Sequence, residues 1–431
     1  MKHFSTNFVI IGIFALASIF SSTFAQNSFT RYSGNPVLSP ITPSSWEDWG
    51  VYAPFVLKQG DTLKMWYTGV KSYGVQQIGY AVSTDGINWQ RYQLNPVLRV
   101  GLPGSWDAEY VGYPRIIFDG NTYRMWYFGH NNVSNPIFRI GYATSPDGIH
   151  WTKADSANPV LPLGEPGAWD SATHAGHSYF FDSDTFHLWF VGSDDPVIIP
   201  TRRYRIGYAK SGDGITWEKH PQNPVFYGSG SWDSLKVHNP CVIVDSSGYH
   251  MWYQGKYGSN YRIGYTISPD GINNWVTLDT FVLDIGNPGT WDDKGVGTPH
   301  ILLDDTNRMW YTGWDYGTPN YEYHIGYAYA LPSALEEVNS GIFPNNFTLE
   351  QNYPNPFNPV TMINYQLPMT CKVELSVYNL LGQKVVTLVN KKQPAGRYEV
   401  QWDASSFTSG VYLYRLQAGN FLETNKMILV K

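Results

Sequence analysis

Three carboxylates and two tryptophans depart from an otherwise repeating pattern, and they are the residues placed to do chemistry. Asp48, Glu109 and Asp293 each occur once in their column of a repeated unit, as do His174, His238, Asn239 and Lys294. Two carboxylates at a suitable separation act as general acid and as base or nucleophile in glycoside hydrolysis. Glu109 is the candidate acid, Asp48 the candidate base or nucleophile, and Asp293 a neighbour that tunes or positions them. Trp49 and Trp314 stand outside the repeat, and flat indoles are platforms on which the apolar faces of sugar rings stack. His174, His238 and Asn239 complete the candidate substrate-binding set. Their expected role is hydrogen bonding, because the histidines lack the close ligand spacing of a compact zinc motif. No metal and no cofactor is expected.

The pattern these residues interrupt is a fivefold repeat. It begins "SWEDWGVYAPFVLKQGDTLKMWYTG" at Ser45 and "SWDAEYVGYPRIIFDGNTYRMWYFG" at Ser105. It returns as "AWDSATHAGHSYFFDSDTFHLWFVG" at Ala168, "SWDSLKVHNPCVIVDSSGYHMWYQG" at Ser231 and "TWDDKGVGTPHILLDDTNRMWYTG" at Thr290. The leading tryptophans, Trp46, Trp106, Trp169, Trp232 and Trp291, are 60, 63, 63 and 59 residues apart. The first four units continue into turns of the form "IGYAVSTDGINW", and the fifth stops at "IGYAYA". An active site is not needed five times. Glu47, Asp107, Asp170, Asp233 and Asp292, which follow the leading tryptophan in every unit, are therefore expected to be turn or capping groups.

Each unit reads as four short strands rich in aromatic and β-branched residues, separated by Gly, Asp and Pro. Units of this length without helical periodicity predict an all-β chain built on a five-bladed β-propeller. The fifth unit lacks a fourth strand, and "FTRYSGNPVL" at Phe29 matches "WQRYQLNPVL" at the end of the first unit. The N-terminal strand is thus expected to complete the fifth blade and close the ring. In that geometry Trp49 and Trp314 line one mouth of the central channel.

The ends differ from the ring. Residues 1–25 carry a lysine, an apolar run and small residues, as a secretory signal peptide does, and the run is shorter than the roughly 20 residues that span a bilayer. The propeller is expected over 27–331, a linker over 332–343, and a small Ig-like β-sandwich of alternating strands over 344–431. A net charge of -6 across 431 residues offers no basic field for a phosphate backbone, which argues against nucleic acid as a partner. The two cysteines, Cys241 and Cys371, fall in different expected domains, so a structural disulfide is not expected. No later segment is apolar enough to span a membrane.

Two resemblances follow from these motifs. "LEQNYPNPFNPVTMINYQLP", "VELSVYNLLGQKVVTLVN" and "AGRYEVQWDASSFTSGVYLYRLQAGNFLETNKMILVK" resemble the C-terminal sorting domain of type IX secretion cargo. That resemblance implies contact with the secretion machinery and a secreted or cell-surface protein. The "YAPFV", "GYPRI" and "TPHI" starts, "MWY" second strands and "S-x-D-G-I-x-W" turns resemble the five-bladed propellers of glycoside hydrolase families 43, 32 and 130. This implies a carbohydrate partner, an oligo- or polysaccharide, and a glycoside hydrolase-like activity on an extracellular glycan. Those families place acids immediately before, or two before, the inner-strand proline. Here the columns hold Ala53 and Tyr52, Tyr113 and Gly112, Gly176 and Ala175, Asn239 and His238, and Thr298 and Gly297. A non-catalytic glycan-binding or surface propeller is the alternative.

Overall fold

The computed structural model describes residues 29–330 and 347–431, apart from 42–44, 73, 133–135, 183, 196–202, 229, 246, 257, 305, 316–321, 368–370, 394–395 and 420. The expected signal peptide and linker lie outside the described residues. A short strand, β1 (Thr30–Arg31), precedes the first repeat. That repeat forms β2 (Gly50–Gln59), β3 (Thr62–Val70), β4 (Gln76–Ser83) and β5 (Gln90–Arg91). The second forms β6 (Tyr110–Phe118), β7 (Tyr123–His130), β8 (Arg139–Ser145) and β9 (Thr152–Lys153). The third forms β10 (Thr173–Asp182), β11 (Thr185–Ser193), β12 (Arg205–Ser211) and β13 (Glu218–Lys219). The fourth forms β14 (Lys236–Asp245), β15 (Gly248–Lys256), β16 (Tyr261–Ser268) and β17 (Val276–Leu283). The fifth has β18 (Gly295–Leu302), β19 (Asn307–Trp314) and β20 (Tyr323–Ala330).

Within each repeat the strands pair antiparallel in chain order. In the fifth, β1 supplies the fourth strand: Thr30 pairs with Tyr329 and Arg31 with Ala328. The expected closure of the ring is therefore present. Single parallel pairings at the inner ends join neighbouring repeats, Gln76 to Tyr110, Tyr261 to Gly295 and Gly50 to Tyr323.

Packing between repeats rests on the second-strand tryptophans. Trp66, Trp126, Trp189, Trp252 and Trp310 are fully buried, and four of them donate their indole N–H to the next repeat's turn. Trp66 reaches Gly148 O at 2.7 Å, Trp126 reaches Gly214 O at 2.8 Å, Trp189 reaches Gly271 O at 2.7 Å, and Trp310 reaches Gly86 O at 2.8 Å. The accepting glycine has φ near +80°, a value that only glycine adopts cheaply, as at Gly86 and Gly148. The turn is rigid: Ser83 Oγ accepts from Gly86 N at 2.9 Å, and Asp85 Oδ1 accepts from Ile87 N and Asn88 N at 2.8 Å. The fifth repeat lacks this turn motif after its "IGYAYA", and Trp252 Nε1 is buried with no hydrogen-bond partner among the described residues.

Four of the five recurring acids are buried ion-pair partners, a larger role than the turn-capping one expected. Glu47, Asp107, Asp170, Asp233 and Asp292 are at most 3% exposed. Four meet a cation from the fourth strand: Arg91 on Glu47 at 2.6 Å, Lys153 on Asp107 at 2.6 Å, Lys219 on Asp170 at 2.6 Å, and Arg31 on Asp292 at 2.8 Å. A second-strand tyrosine adds a hydroxyl, Tyr127 to Asp107 at 3.2 Å, Tyr253 to Asp233 at 2.7 Å and Tyr311 to Asp292 at 3.2 Å. Four of the acids thus tie the loop before their inner strand to their blade's middle strand, Asp170 being the exception because Phe190 stands there, and four of the five reach the outer strand.

The C-terminal region forms two sheets, with β21 (Thr348–Leu349), β22 (Val360–Leu367) and β25 (Gly396–Asp403) in one. The other orders β24 (Lys384–Gln393), β23 (Cys371–Tyr378), β26 (Gly410–Ala418) and β27 (Phe421–Leu429). Their facing sides bury Tyr365, Leu375, Trp402, Tyr414 and Leu416, the sandwich expected from alternation. No helix among the described residues is long and apolar enough to cross a membrane.

Removing one partner of a buried ion pair leaves the other uncompensated, so Arg31→Ala is expected to destabilise the ring by about 3 kcal/mol. Hydrogen exchange should show the loss first in β20, and equal exchange there in variant and parent would contradict the latch.

Candidate axial binding site

All five inner strands carry the same irregularity. Each has a bulge, between Tyr52 and Phe55, Gly112 and Arg115, His174 and His177, His238 and Cys241, and Gly297 and His300. The residue in each bulge has positive φ: Ala53 at 49°, Tyr113 at 53°, Gly176 at 120°, Asn239 at 51° and Thr298 at 45°. Four are not glycine, and such backbone persists only where its surroundings over-determine it. The neighbouring repeat does this at three of them. Thr312 Oγ1 accepts from Ala53 N at 2.9 Å, Thr68 Oγ1 from Tyr113 N at 2.8 Å, and Gln254 Oε1 from Thr298 N at 3.2 Å.

A cavity of about 500 Å³ opens above these bulges. Its walls come from four repeats and include Trp49, Tyr52, Gln76, Tyr113, His238, Asn239, Gln254, Tyr261, Thr298, Thr312, Trp314 and Tyr323. Aromatic faces dominate: Tyr52 lies 5.3 Å from Tyr113 and 5.5 Å from Tyr323, and Trp314 lies 5.6 Å from Tyr261. Burial holds the phenols of Tyr52, Tyr110 and Tyr113 well above their ordinary range, so they stay protonated and donate. The hydroxyl of Tyr52 contacts Gln76 Oε1 and lies 2.8 Å from that of Tyr110.

The polar wall is a relay. Asn239 Nδ2 donates to Gln254 Oε1 at 2.8 Å and to His238 Nδ1 at 3.2 Å. An amide nitrogen only donates, so Nδ1 accepts and the neutral ring carries its proton on Nε2. Burial, aided by Lys236 and Lys256, pushes the imidazole of His238 down to about 3. His238 Nε2 and Trp49 Nε1 are buried with no hydrogen-bond partner among the described residues. Groups of this kind are costly unless something completes them.

Of the eight site residues expected from sequence, Trp49, Trp314, His238 and Asn239 line this cavity, and the other four do not. Asp48 is a loop clamp, accepting from Ser72 N at 2.7 Å and Ser72 Oγ at 3.1 Å. Asp293 accepts from Gly289 N at 2.8 Å and Lys294 Nζ at 2.9 Å, and those two bonds hold its carboxyl below the usual range. Glu109 is half-buried before β6. His174 is fully buried, with Nε2 3.6 Å from Asp170 Oδ2 and its ring against Phe190. Phe190 replaces the second-strand tyrosine in the third repeat, and His174 lies beside it near Asp170, whose direct partner is Lys219.

Tyr52, Tyr113, Gln254, Thr298 and Thr312 were not singled out by their chemistry. The columns holding Tyr52, Tyr113 and Thr298 carry no acid, and their phenols and hydroxyl give no signal in the repeat pattern. No carboxylate lines the cavity among the described residues, and no three His, Cys, Asp or Glu side chains gather as a metal would require.

Gln254→Leu leaves Thr298 N unpaired and removes one of the two acceptors of Asn239 Nδ2, which should destabilise the ring by about 1–3 kcal/mol in denaturant titration. Burial also pushes His300, with Nε2 2.7 Å from Val56 O, down to about 3. Unfolding returns it and His238 to the ordinary 6.5, so the unfolded chain binds more protons and stability falls as pH drops from 6.5 toward about 3. A thermal midpoint unchanged between pH 6.5 and 5 would contradict this, and His300→Phe should make the decline shallower.

Comparison with known proteins covers both regions. Residues 351–431 match the secretion system C-terminal sorting domain family, which directs the chain to secretion or the cell surface. A solved propeller of the GH130 family of mannoside phosphorylases, a family containing glycoside hydrolases that target β-1,2-mannosidic linkages in Candida mannan, superposes with TM-score 0.56 at 19% identity. That match covers 71% of this chain and 94% of the other, and it shows a shared fold. The β-1,2-mannobiose phosphorylase of Thermoanaerobacter sp. (strain X514) is 35% identical over 136 residues, 28% of this chain and 44% of that protein. Uncharacterized protein Rv1502 of Mycobacterium tuberculosis (strain ATCC 25618 / H37Rv) is 31% identical over 231 residues, 51% of this chain and 72% of its own length. At that identity and coverage, the chain belongs to the same family as Rv1502.

Proposed function

We propose that this protein is an exported carbohydrate-active propeller that holds a neutral saccharide of an extracellular glycan in its axial cavity. The observation that carries the reading is the composition of the cavity wall. Indole and phenol faces stand beside neutral hydrogen-bonding groups, Asn239, Gln254, Thr298 and His238, with no carboxylate among the described lining residues. Sugars present apolar ring faces and a periphery of hydroxyls, and such a wall complements both. The sorting domain supplies the route to an extracellular glycan.

A lining of this kind favours recognition over hydrolysis by a carboxylate pair. Turnover is the second reading, favoured by the 35% identity to a β-1,2-mannobiose phosphorylase over 136 residues. One experiment separates them: the full chain is screened on a glycan array and on chromogenic glycosides, β-mannosides included, with and without inorganic phosphate. Saturable binding without turnover is the expected result. Trp49→Ala and Trp314→Ala should each weaken that binding by about 0.5–1.5 kcal/mol. Binding unaffected by both would remove the cavity as the site. Turnover would establish the second reading, and its response to Glu109→Gln would then decide whether Glu109 takes part.

A further inference from the structure

The β23–β24 hairpin of the sorting domain ends in an apolar tip that its own fold does not use. Leu380 and Leu381 are 69% and 83% exposed, adjacent, and at the apex of the turn. The turn is not loose. Asn379 Oδ1 accepts from Leu381 N and Gln383 N at 3.0 Å, and Asn379 Nδ2 donates to Gln383 Oε1 at 2.8 Å. Gly382, with φ of 76°, donates its N–H to Asn379 O at 3.0 Å. Four hydrogen bonds therefore hold two leucines out in water. A turn needs only the asparagine and the glycine for its geometry, and polar residues would fill the apex at lower solvation cost.

The same hairpin is strongly basic. Its two strands carry Lys372, Lys384, Lys391 and Lys392 against one carboxylate, Glu374, which pairs with Lys384. Lys372 and Lys392 are exposed and directly opposite one another, an arrangement that destabilises a sheet. Strand β24 is also the edge of its sheet, with one side unpaired. Like charge on an edge strand deters pairing with neutral strands, and it attracts an acidic surface.

We propose that this hairpin is a docking element read by the export machinery, with Leu380 and Leu381 entering an apolar pocket on a protein that presents an acidic surface to the lysines at the hairpin's base. The sorting match extends over this hairpin, which places the element in the region that must be recognised. The leucines supply the buried anchor, while Lys372, Lys391 and Lys392, which the register places at the opposite end of the hairpin, steer and orient the approach of an acidic surface from a distance.

The test uses the full chain in a host that has a type IX secretion system, with cell fractions assayed by immunoblot. Leu380→Ser/Leu381→Ser is expected to lower delivery to the surface or medium about tenfold, with the protein retained inside the outer membrane. Its thermal midpoint should match the parent because neither side chain is buried. Leu422→Ser, which changes another exposed leucine of the domain, 61% exposed, should be delivered normally. Lys391→Glu/Lys392→Glu should reduce delivery without unfolding. Delivery of the leucine double variant at the parental level would overturn the proposal, as would an equal loss in Leu422→Ser.

Discussion

A buried carboxylate requires compensating partners, and much of the ring's architecture follows from where they come from: in four of the five repeats the partner is a cation. In the first three repeats it arrives from the same repeat's fourth strand, as Arg91, Lys153 and Lys219. In the fifth it arrives from the other end of the propeller, where Arg31 meets Asp292 across 261 residues of chain. The ring is closed by that contact together with the pairing of β1 on β20. In the fourth repeat Thr277 occupies the cation's column, and Asp233 relies on Tyr253 and on Gly230 N. The same contact between an acid and the strands behind it fixes the approach of every inner strand, and so fixes what the strands present to the axis.

What they present is a ring of strained bulges. Ala53, Tyr113, Asn239 and Thr298 have no intrinsic preference that pays for positive φ, apart from the tolerance of asparagine. The polar residue one place beyond the second-strand tyrosine does the work in three cases: Thr68, Gln254 and Thr312 each accept the bulged N–H of the following repeat. In the other two repeats that column holds Phe128 and Val191, and the next bulges are Gly176 and Asn239. Gly176 is forced by space, since a Cβ there would lie 2.6 Å from Asn239 N. Floor and walls of the cavity are thus one network with the packing between blades.

Much of this was legible in the sequence because repetition makes period and columns visible. The five repeats, the closing strand and the glycine of each "IGY" follow from it, and that glycine does lie against rings, Tyr67 and Trp46 in the case of Gly79. Trp49 and Trp314, found by subtracting the repeat, line the cavity. Subtraction also picked residues that lie away from the cavity: His174 packs on Phe190, and Asp48 and Asp293 hold local clamps. The bulges were not legible, since their φ values are set by contacts from another repeat. The acids' burial was not legible either, since their cations sit about 45 residues downstream or, for Asp292, at the start of the propeller.

The most direct test of an axial glycan site is a crystal structure of the propeller with an oligosaccharide identified by binding. A sugar ring inside the cavity, against Trp49 or Trp314 and within hydrogen-bonding distance of Asn239 or His238, is the expected result. A sugar found instead in the larger cleft of about 610 Å³ between the first and second repeats, lined by Leu102, Trp106 and Trp151, with the axial cavity empty, would contradict it.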